Sequence, residues 1–233
     1  VGFLNGRLQL GLDWYRRNTV NMLTKSKQLP AVLGTGEPKT NAANLKTLGW
    51  ETSLKWRDQF QVADKPFSYD FQFVISDNHS EITRYDNPNG YLGDYYVGEN
   101  IGEIWGYVTD GFFKSDDEYA TSADQSKVSS VAYSVDGHPV AGDIKFKDLN
   151  GDGTIYNGDN TLSNHGDMKV IGNSTPRYSY GFNAHATWNK IDVSVFFQGV
   201  GKRDFWPGVE SGIFWGFYNR WNQPVYDHIY GNY

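Results

Sequence analysis

The sequence predicts an all-β fold whose longest strands cross a membrane, and three observations point to it. Aromatic residues make up 16% of the 233 residues and glycine occurs 26 times, while the Leu/Ala/Glu-rich runs typical of long helices are missing. Apolar and polar residues alternate over several stretches of about ten residues, with the two-residue period of a β-strand. Each stretch carries large aromatic side chains on one face, which is typical of strands that span an outer membrane.

The composition argues against several other classes of protein. The net charge of −6 is made of interspersed acidic and basic residues, which disfavours a nucleic-acid partner. The chain has no cysteine, so no disulfide framework can be predicted. No signal peptide opens it, and no apolar run approaches the roughly 18 residues of a membrane helix. Because the sequence starts inside a strand-like stretch and ends in an aromatic tract, we expect it to be part of a longer protein.

Residues 1–76 are predicted to contain three barrel strands and their connections. Each strand alternates apolar and polar residues, and Trp50 and Trp56 stand on the apolar face of the second. Pro and Gly punctuate the first connection, and polar residues form the second. The three strands are Phe3–Tyr15, Leu48–Arg57 and Phe67–Ser76, and the two connections are Asn18–Thr40 and Asp58–Pro66.

Residues 77–176 break the pattern and are predicted to form one large insertion. The segment is rich in turn residues and holds only short apolar pieces, at Ile101–Thr109, Val131–Tyr133 and Ile144–Phe146. Ser115 followed by Glu118 has the spacing of a helix N-cap, so we expect one short helix there. The Asp116-Asp117-Glu118 run is then its solvated first turn, where negative charge is favoured by the helix dipole.

Residues 177–233 return to barrel strands and end in an aromatic-rich loop. Strands are predicted at Arg177–Asn189 and Ile191–Gly199, joined by the tight turn at 189–190. Short turns thus alternate with long loops, and in outer-membrane barrels the short turns are periplasmic and the long loops extracellular. The insertion is therefore placed outside the cell. The long loop from Lys202 to Tyr233 is extracellular by the same rule.

Residues 148–159 have the ligand spacing of an EF-hand-type calcium loop. Asp148, Asn150 and Asp152 occupy positions 1, 3 and 5, a glycine follows at position 6, and Thr154 offers its carbonyl at position 7. Ile155, at position 8, is the apolar residue expected to dock the loop. Asp159 stands at position 12 in place of the usual bidentate Glu. An ordinary hairpin turn at Asn-Gly-Asp-Gly is the alternative, but the five constraints favour a structural calcium site.

Four sequence blocks in this order resemble the SusC/RagA family of TonB-dependent outer-membrane transporters. They are Gly98-Glu-Asn-Ile-Gly-Glu-Ile-Trp-Gly-Tyr-Val-Thr-Asp-Gly-Phe-Phe, Gly142-Asp-Ile-Lys-Phe-Lys-Asp-Leu-Asn-Gly-Asp-Gly-Thr-Ile, Pro176-Arg-Tyr-Ser-Tyr-Gly-Phe-Asn and Phe196-Phe-Gln-Gly-Val-Gly. With the strands before them, they cover most of Leu48 to Gly201.

This resemblance implies a 22-stranded antiparallel barrel with an N-terminal plug, energised by TonB and paired with a SusD-like lipoprotein lid. Members of the family import oligosaccharides or peptides in Bacteroidetes. The chain lacks the plug and the TonB-contacting part, so it corresponds to a late barrel segment in contact with outer-membrane lipid. Alone, it is not expected to transport anything.

No enzyme is predicted. The five histidines, His79, His138, His165, His185 and His228, have no zinc-ligand spacing, and no nucleophile elbow, P-loop or dinucleotide motif occurs. A glycosidase carboxylate pair assembled in space stays open at this point. Trp206, Trp215 and Trp221 are candidates for loop packing, lid contact or ligand stacking. The alternative to a transporter is a secreted, calcium-stapled β-sandwich that binds carbohydrate.

Overall fold

The computed structural model describes residues 1–25, 39–128 and 138–206. Nearly all of the regular structure in them is β-strand. In chain order the strands are β1 Gly2–Phe3, β2 Leu8–Lys25, β3 Lys39–Val62, β4 Lys65–Arg84, β5 Glu103–Tyr107, β6 Thr109–Phe112, β7 Ile144–Phe146, β8 Met168–Asn173, β9 Arg177–Trp188 and β10 Ile191–Lys202. Short 3-10 helices occupy Leu4–Gly6 and Glu118–Thr121.

The main sheet has six antiparallel strands in the order β1-β2-β3-β4-β9-β10. It is a meander interrupted once, between β4 and β9, where the insertion leaves and returns. β4 pairs with β9 from Phe67↔Trp188 to Ser76↔Ser179. This is the pairing expected of two strands that flank residues 77–176.

The strands are longer than the alternation of apolar residues predicted. β2 has 18 residues, β3 has 24 and β4 has 20. The prediction of a loop starting at Asn18 is wrong, because β2 continues to Lys25 and pairs with β3 through Thr24↔Thr40. The turn predicted at Asp58–Pro66 shrinks to residues 63–64, with both residues in the left-handed region of φ.

The insertion is built on two small sheets, β5-β8 and β6-β7. β4 extends past Ser76, and residues 99–101 of the insertion are bonded to its end. Ile82 N–H donates to Glu99 O at 2.9 Å, and Ile101 N–H donates to Ser80 O at 2.8 Å. Of the short apolar pieces, Ile101–Thr109 contains β5 and the first residue of β6, and Ile144–Phe146 forms β7. The third piece, Val131–Tyr133, lies outside the described residues.

The α-helix predicted to start at Ser115 is not formed. The segment forms only a 3-10 turn, with Asp117 as N-cap and no side-chain capping bond. Glu118 instead accepts from the Lys114 N–H at 2.7 Å and from the Lys145 ammonium at 3.0 Å. In the described part of the chain, no helix is long and apolar enough to cross a membrane.

Candidate functional site

The main sheet has one continuous apolar face. Register and alternation place large apolar and aromatic side chains from five strands on it. Those on the outer strands β2 and β10 are the most exposed, with Leu12 at 77%, Trp14 at 70% and Phe197 at 60%, while most of those on β3 and β4 are half-buried. The other two sheets have two strands each, too few to cover such a surface. A sandwich hides this face in its core, so the predicted sandwich alternative does not match the fold.

Aromatic side chains line both ends of the apolar face. At the end with the short turns, the Phe60 and Phe67 rings lie 5.1 Å apart, and Trp188 Nε1 donates to Val62 O at 3.2 Å. At the other end, Trp14 is the register partner of Trp50. From Phe60 to Trp50 the strand rises about 34 Å, or about 26 Å for a tilt of about 40°. This matches the roughly 25 Å band between the aromatic girdles of an outer-membrane barrel.

The opposite face of the sheet is mostly polar. Alternation places Gln9 and Asp13 of β2, Lys55 of β3, Gln72 of β4 and Gln198 of β10 on it. A sheet that is apolar on one side and polar on the other is what separates lipid from a water-filled lumen.

One cluster on the polar face was not predicted from the sequence. His185 lies with its Nδ1 3.4 Å from Asp70 and its Nε2 3.9 Å from Asp192. Thr187 Oγ1 donates to Asp192 at 2.6 Å. The three titratable residues come from three neighbouring strands, so only the register of the sheet brings them together.

The base of the insertion is held by an ion pair and a hydrogen-bond network. Arg177 binds both carboxylate oxygens of Asp77 at 2.5 Å. Asn173 Nδ2 and Thr175 Oγ1 both donate to Ile101 O, at 3.1 and 2.8 Å. Asn173 N–H in turn donates to Asp204 at 2.7 Å. These bonds join residues 173–177, where the chain returns from the insertion to β9, to Asp77 and Ile101. They also join this segment to Asp204, which follows β10.

A polar cleft of about 640 Å³ opens beside this network, between the end of β4 and the end of β8. Its wall includes Asn78, Glu103, Arg177, Lys202 and Asp204. The volume lies in the range of small-ligand sites. Three of these side chains, Glu103, Arg177 and Asp204, already accept or donate hydrogen bonds within the wall or the network beside it.

A second network lies inside the insertion and was also missed. Tyr96 Oη donates to Glu103 at 2.5 Å and accepts from Trp105 Nε1 at 3.1 Å. Burial raises the pKa of the Tyr96 hydroxyl above its ordinary value, and the bond to Glu103 adds to the rise. Burial also raises the pKa of the nearby Glu99 carboxyl. The network joins both ends of the turn at 96–103.

The 148–159 loop is folded around its own acidic side chains. Asp148 accepts from Gly151 N–H at 2.7 Å and from Gly153 N–H at 2.8 Å, and Asp152 accepts from Thr154 N–H at 2.8 Å. Asn150 Oδ1 accepts from Asp152 N–H at 2.9 Å. The N–H groups hold the pKa of the Asp148 carboxyl below its ordinary value, the Gly153 N–H most strongly.

The loop is anchored by Ile155, as its position 8 predicted. Ile155 is fully buried with Val128, and Tyr107, Ala123 and Phe146 pack around them. Gln125 supports the same region, since its amide accepts from Phe146 N–H at 2.6 Å and donates to Ile144 O at 3.1 Å. The loop is therefore rigidly attached to the insertion.

The predicted calcium ligands are partly brought together. Asp148, Asn150, Asp152 and Thr154 lie in one turn, but Asp159 is exposed and accepts from Asn164 Nδ2 at 2.8 Å. Among the described residues, no group of three or more His, Cys, Asp or Glu is arranged to hold a metal ion. The loop's oxygen donors also include an amide and a carbonyl, which calcium accepts as ligands.

Of the three tryptophans proposed to contact a lid or ligand, only Trp206 falls within the described residues. Its side chain is 62% exposed, and its ring passes over Gly106 of β5, 3.8 Å from the place of a Cβ there. Trp215 and Trp221 lie outside the described part of the chain.

Known proteins similar in sequence to this chain are TonB-dependent receptors. It is 27% identical over 210 residues to the TonB-dependent receptor P39 of Formosa agariphila, covering 82% of this chain and 19% of the relative. It is 30% identical over 169 residues to the TonB-dependent receptor SusC of Bacteroides thetaiotaomicron, covering 68% of this chain and 15% of the relative. The chain thus spans about a fifth or less of the length of these curated relatives. No protein-family model matches it.

The fold is similar to part of two solved structures. For the RagAB peptide transporter the TM-score is 0.53 at 19% identity, over 84% of this chain and 19% of that chain. For the RagAB peptide importer in the open-open state it is 0.54 at 20% identity, over 85% and 19%. At this level of identity, the likeness establishes the fold.

Proposed function

Because this chain is homologous to one segment of SusC-type TonB-dependent receptors, we propose that it forms part of the barrel wall of an outer-membrane importer. The observation that carries the proposal is the two-faced sheet, whose apolar face is bounded by aromatic side chains about 34 Å apart along β3, a length that would span about 26 Å at a strand tilt of about 40°. In the whole protein this sheet continues into a barrel of 22 strands, a size that encloses a plugged lumen.

The importer takes up nutrients, and its substrate is an oligosaccharide or a peptide. TonB energises it through another part of the protein. A SusD-like lipoprotein meets the insertion and Trp206 from outside the cell. The similarity to SusC and to RagAB supports this pairing. We assign the segment no enzymatic activity, because its relatives are TonB-dependent receptors.

Cysteine labelling of the full-length protein in cells tests the barrel assignment. This chain has no cysteine of its own, and neighbouring residues of β4 point to opposite faces. A water-soluble maleimide should label Gln72→Cys from the lumen and leave Phe73→Cys unlabelled, while a membrane-partitioning maleimide should label Phe73→Cys. Equal labelling of both by the water-soluble reagent would contradict a lipid-facing sheet. Labelling of Ser163→Cys on intact cells tests whether the insertion is extracellular.

We also propose that the 148–159 loop binds calcium as a structural ion. Asp148, Asn150 and Asp152 would bind through side chains and Thr154 through its carbonyl, with Asp159 as the closing carboxylate by spacing alone. When bound, the ion neutralises the loop's carboxylates and orders the insertion. An Asp at the twelfth position suggests a dissociation constant of roughly 10⁻⁴ to 10⁻³ M. Equilibrium dialysis of the full-length protein against calcium, with Asp148→Asn as the deficient variant, measures it.

A further inference from the structure

The apolar face of the main sheet has a hollow over β9, which we call the β9 hollow. Its volume is about 490 Å³, and it lies between side chains of β4 and side chains of β10. Two successive rows on this face have an alanine on β9 and larger side chains on both neighbouring strands. They are Tyr69–Ala186–Val193 and Phe71–Ala184–Val195. The rows on either side have Trp188 and Phe182 on β9, so the two alanines leave a trough between large rings.

The walls of the β9 hollow are held by contacts with one another. Phe182 closes one end, with its ring centroid 6.4 Å from that of Phe71. On the β4 side, the Tyr69 ring lies 5.9 Å from the Phe67 ring. The Tyr69 hydroxyl also accepts from Trp56 Nε1 at 3.1 Å. Because the rings pack against each other, the space over the alanines stays open.

The surface of the β9 hollow is apolar. Asp70 and His185 also border it, but by alternation their side chains lie on the polar face, where they contact each other. Water finds no hydrogen-bond partners in an apolar hollow, and an unfilled space loses the close contacts that packed atoms gain. On a face covered by lipid, the atoms that can fill it belong to acyl chains.

We propose that the β9 hollow holds one acyl chain of a phospholipid from the leaflet on the side of the short turns. The inference rests on the proposed barrel function, in which lipid covers this face, and it adds a fixed place for one chain. From Phe182 to Trp188 the strand rises about 20 Å, so an extended chain can lie along β9. The hollow reaches Phe60 and Phe67, which lie beside the short turns, and the chain enters from that end.

Cationic side chains lie near the expected place of the lipid phosphate. Lys65 begins β4, and Lys190 lies in the turn between β9 and β10. The Lys65 ammonium donates to Asn189 Oδ1 at 2.9 Å, which joins the two short turns. Within residues 1–25, 39–128 and 138–206, the Lys190 ammonium has no partner. With Asp64 as the one carboxylate of these two turns, their net charge is positive, and basic residues at a membrane surface attract lipid phosphates.

Photo-crosslinking locates this chain. The full-length protein is folded into phosphatidylcholine vesicles that contain a trace of the same lipid with a diazirine midway along one acyl chain, and labelled peptides are identified by mass spectrometry. The register of the sheet places residues 54–60 of β3 level with residues 182–188 of β9. If close packing holds the chain, residues 182–195 should carry at least about threefold more label than residues 54–60. Equal labelling of the two segments would overturn the proposal.

Filling the hollow provides a matched pair of variants. Ala184→Leu/Ala186→Leu should lower the label on residues 182–195 at least about threefold, because the added side chains take the place of the acyl chain. Thr52→Leu adds a similar side chain on the same face, in a row without an alanine, and should leave that label unchanged. An equal loss in Thr52→Leu would contradict a site at β9.

The unmodified protein also distinguishes the other ways in which this face could be covered. If another protein chain filled the β9 hollow, residues 182–195 would carry less label than residues 54–60, which would refute the acyl-chain site. Absence of label from both segments would mean that lipid does not cover this face, and would refute the barrel assignment itself. Label on both to the same extent would refute only the hollow.

Discussion

Asp77 and Arg177 lie 100 residues apart in sequence and are joined by two hydrogen bonds of 2.5 Å. The Asp77 side chain is 6% exposed and that of Arg177 is 32% exposed. Tyr178, the next residue, adopts a φ of 55°, and its N–H also approaches Asp77, at 3.4 Å. The pair thus lies just beyond Ser76↔Ser179, the last register pair between β4 and β9. It fixes the point where the insertion returns to the sheet.

Removing one member of this pair should loosen the base of the insertion. Asp77→Ala leaves Arg177 without its partner, and we expect a loss of about 3 kcal/mol in the free energy of unfolding. Urea unfolding of the full-length protein in detergent measures it. The matched control is Glu81→Ala, which breaks the more exposed pair with Lys46 and should cost less than about 1 kcal/mol. Equal losses would mean that Asp77–Arg177 behaves as a surface pair.

Two glycines of the loop region provide a matched steric test. Both have positive φ, 56° at Gly166 and 77° at Gly151. A Cβ on Gly166 would lie 2.2 Å from Tyr156 O, whereas one on Gly151 meets nothing within 4 Å. Both Ala variants should lose about 1 kcal/mol for the left-handed backbone. Gly166→Ala should in addition displace Asp167, whose carboxylate accepts from the Leu149 and Tyr156 N–H groups of the loop. We therefore expect faster proteolysis of the insertion and weaker calcium binding in Gly166→Ala only. Identical behaviour of the two variants would contradict the close packing.

The sequence could predict those strands in which apolar and polar residues alternate. The alternation of apolar residues located the parts of β2, β3, β4, β9 and β10 that carry the apolar face. It could not show that β2 and β3 continue together beyond Tyr15↔Gly49, because the alternation fades there. Ile155 was identifiable because the loop motif assigns its position a fixed role.

The features that were missed depend on contacts between distant residues. Asp167 has no fixed spacing from the loop that it joins, because the turn at 159–164 intervenes. The Asp77–Arg177 pair and the His185 cluster exist only once β4 and β9 are in register. Ser115 was expected to cap a helix, but the Lys145–Glu118 ion pair and the Lys114 N–H recruit Glu118 instead. The contact with Lys145, 27 residues further along the chain, outweighed the local capping signal at Ser115.

Calcium binding should be insensitive to pH over the neutral and mildly acidic range. The pKa of the Asp148 carboxyl is lowered from 3.8 by N–H donors, that of Gly153 first. A depressed pKa keeps the carboxylate ionised and able to bind a cation until the pH falls below the ordinary Asp value. The same carboxylate stabilises the loop above that value, and its contribution is lost as the pH falls through the folded-state pKa. We expect one affinity from about pH 7 to pH 5, measured by dialysis at fixed ionic strength. A fall in affinity between about pH 7 and pH 6 would contradict this prediction.

Arginine substitutions across β3 should report the depth of each residue in the membrane. Leu54 lies on the apolar face between Trp50 and Phe60, near the middle of the band, so Leu54→Arg should cost about 2–4 kcal/mol. Val62 lies on the same face beside the short turn, where the cost should fall to about 0–1 kcal/mol. Ser53→Arg, on the polar face, should be similarly mild because its charge meets water. Folding of the full-length protein into lipid vesicles, titrated with urea, gives the three free energies. If Leu54→Arg were no worse than Ser53→Arg, lipid could not be what covers this face, and the sheet would have to be packed against protein.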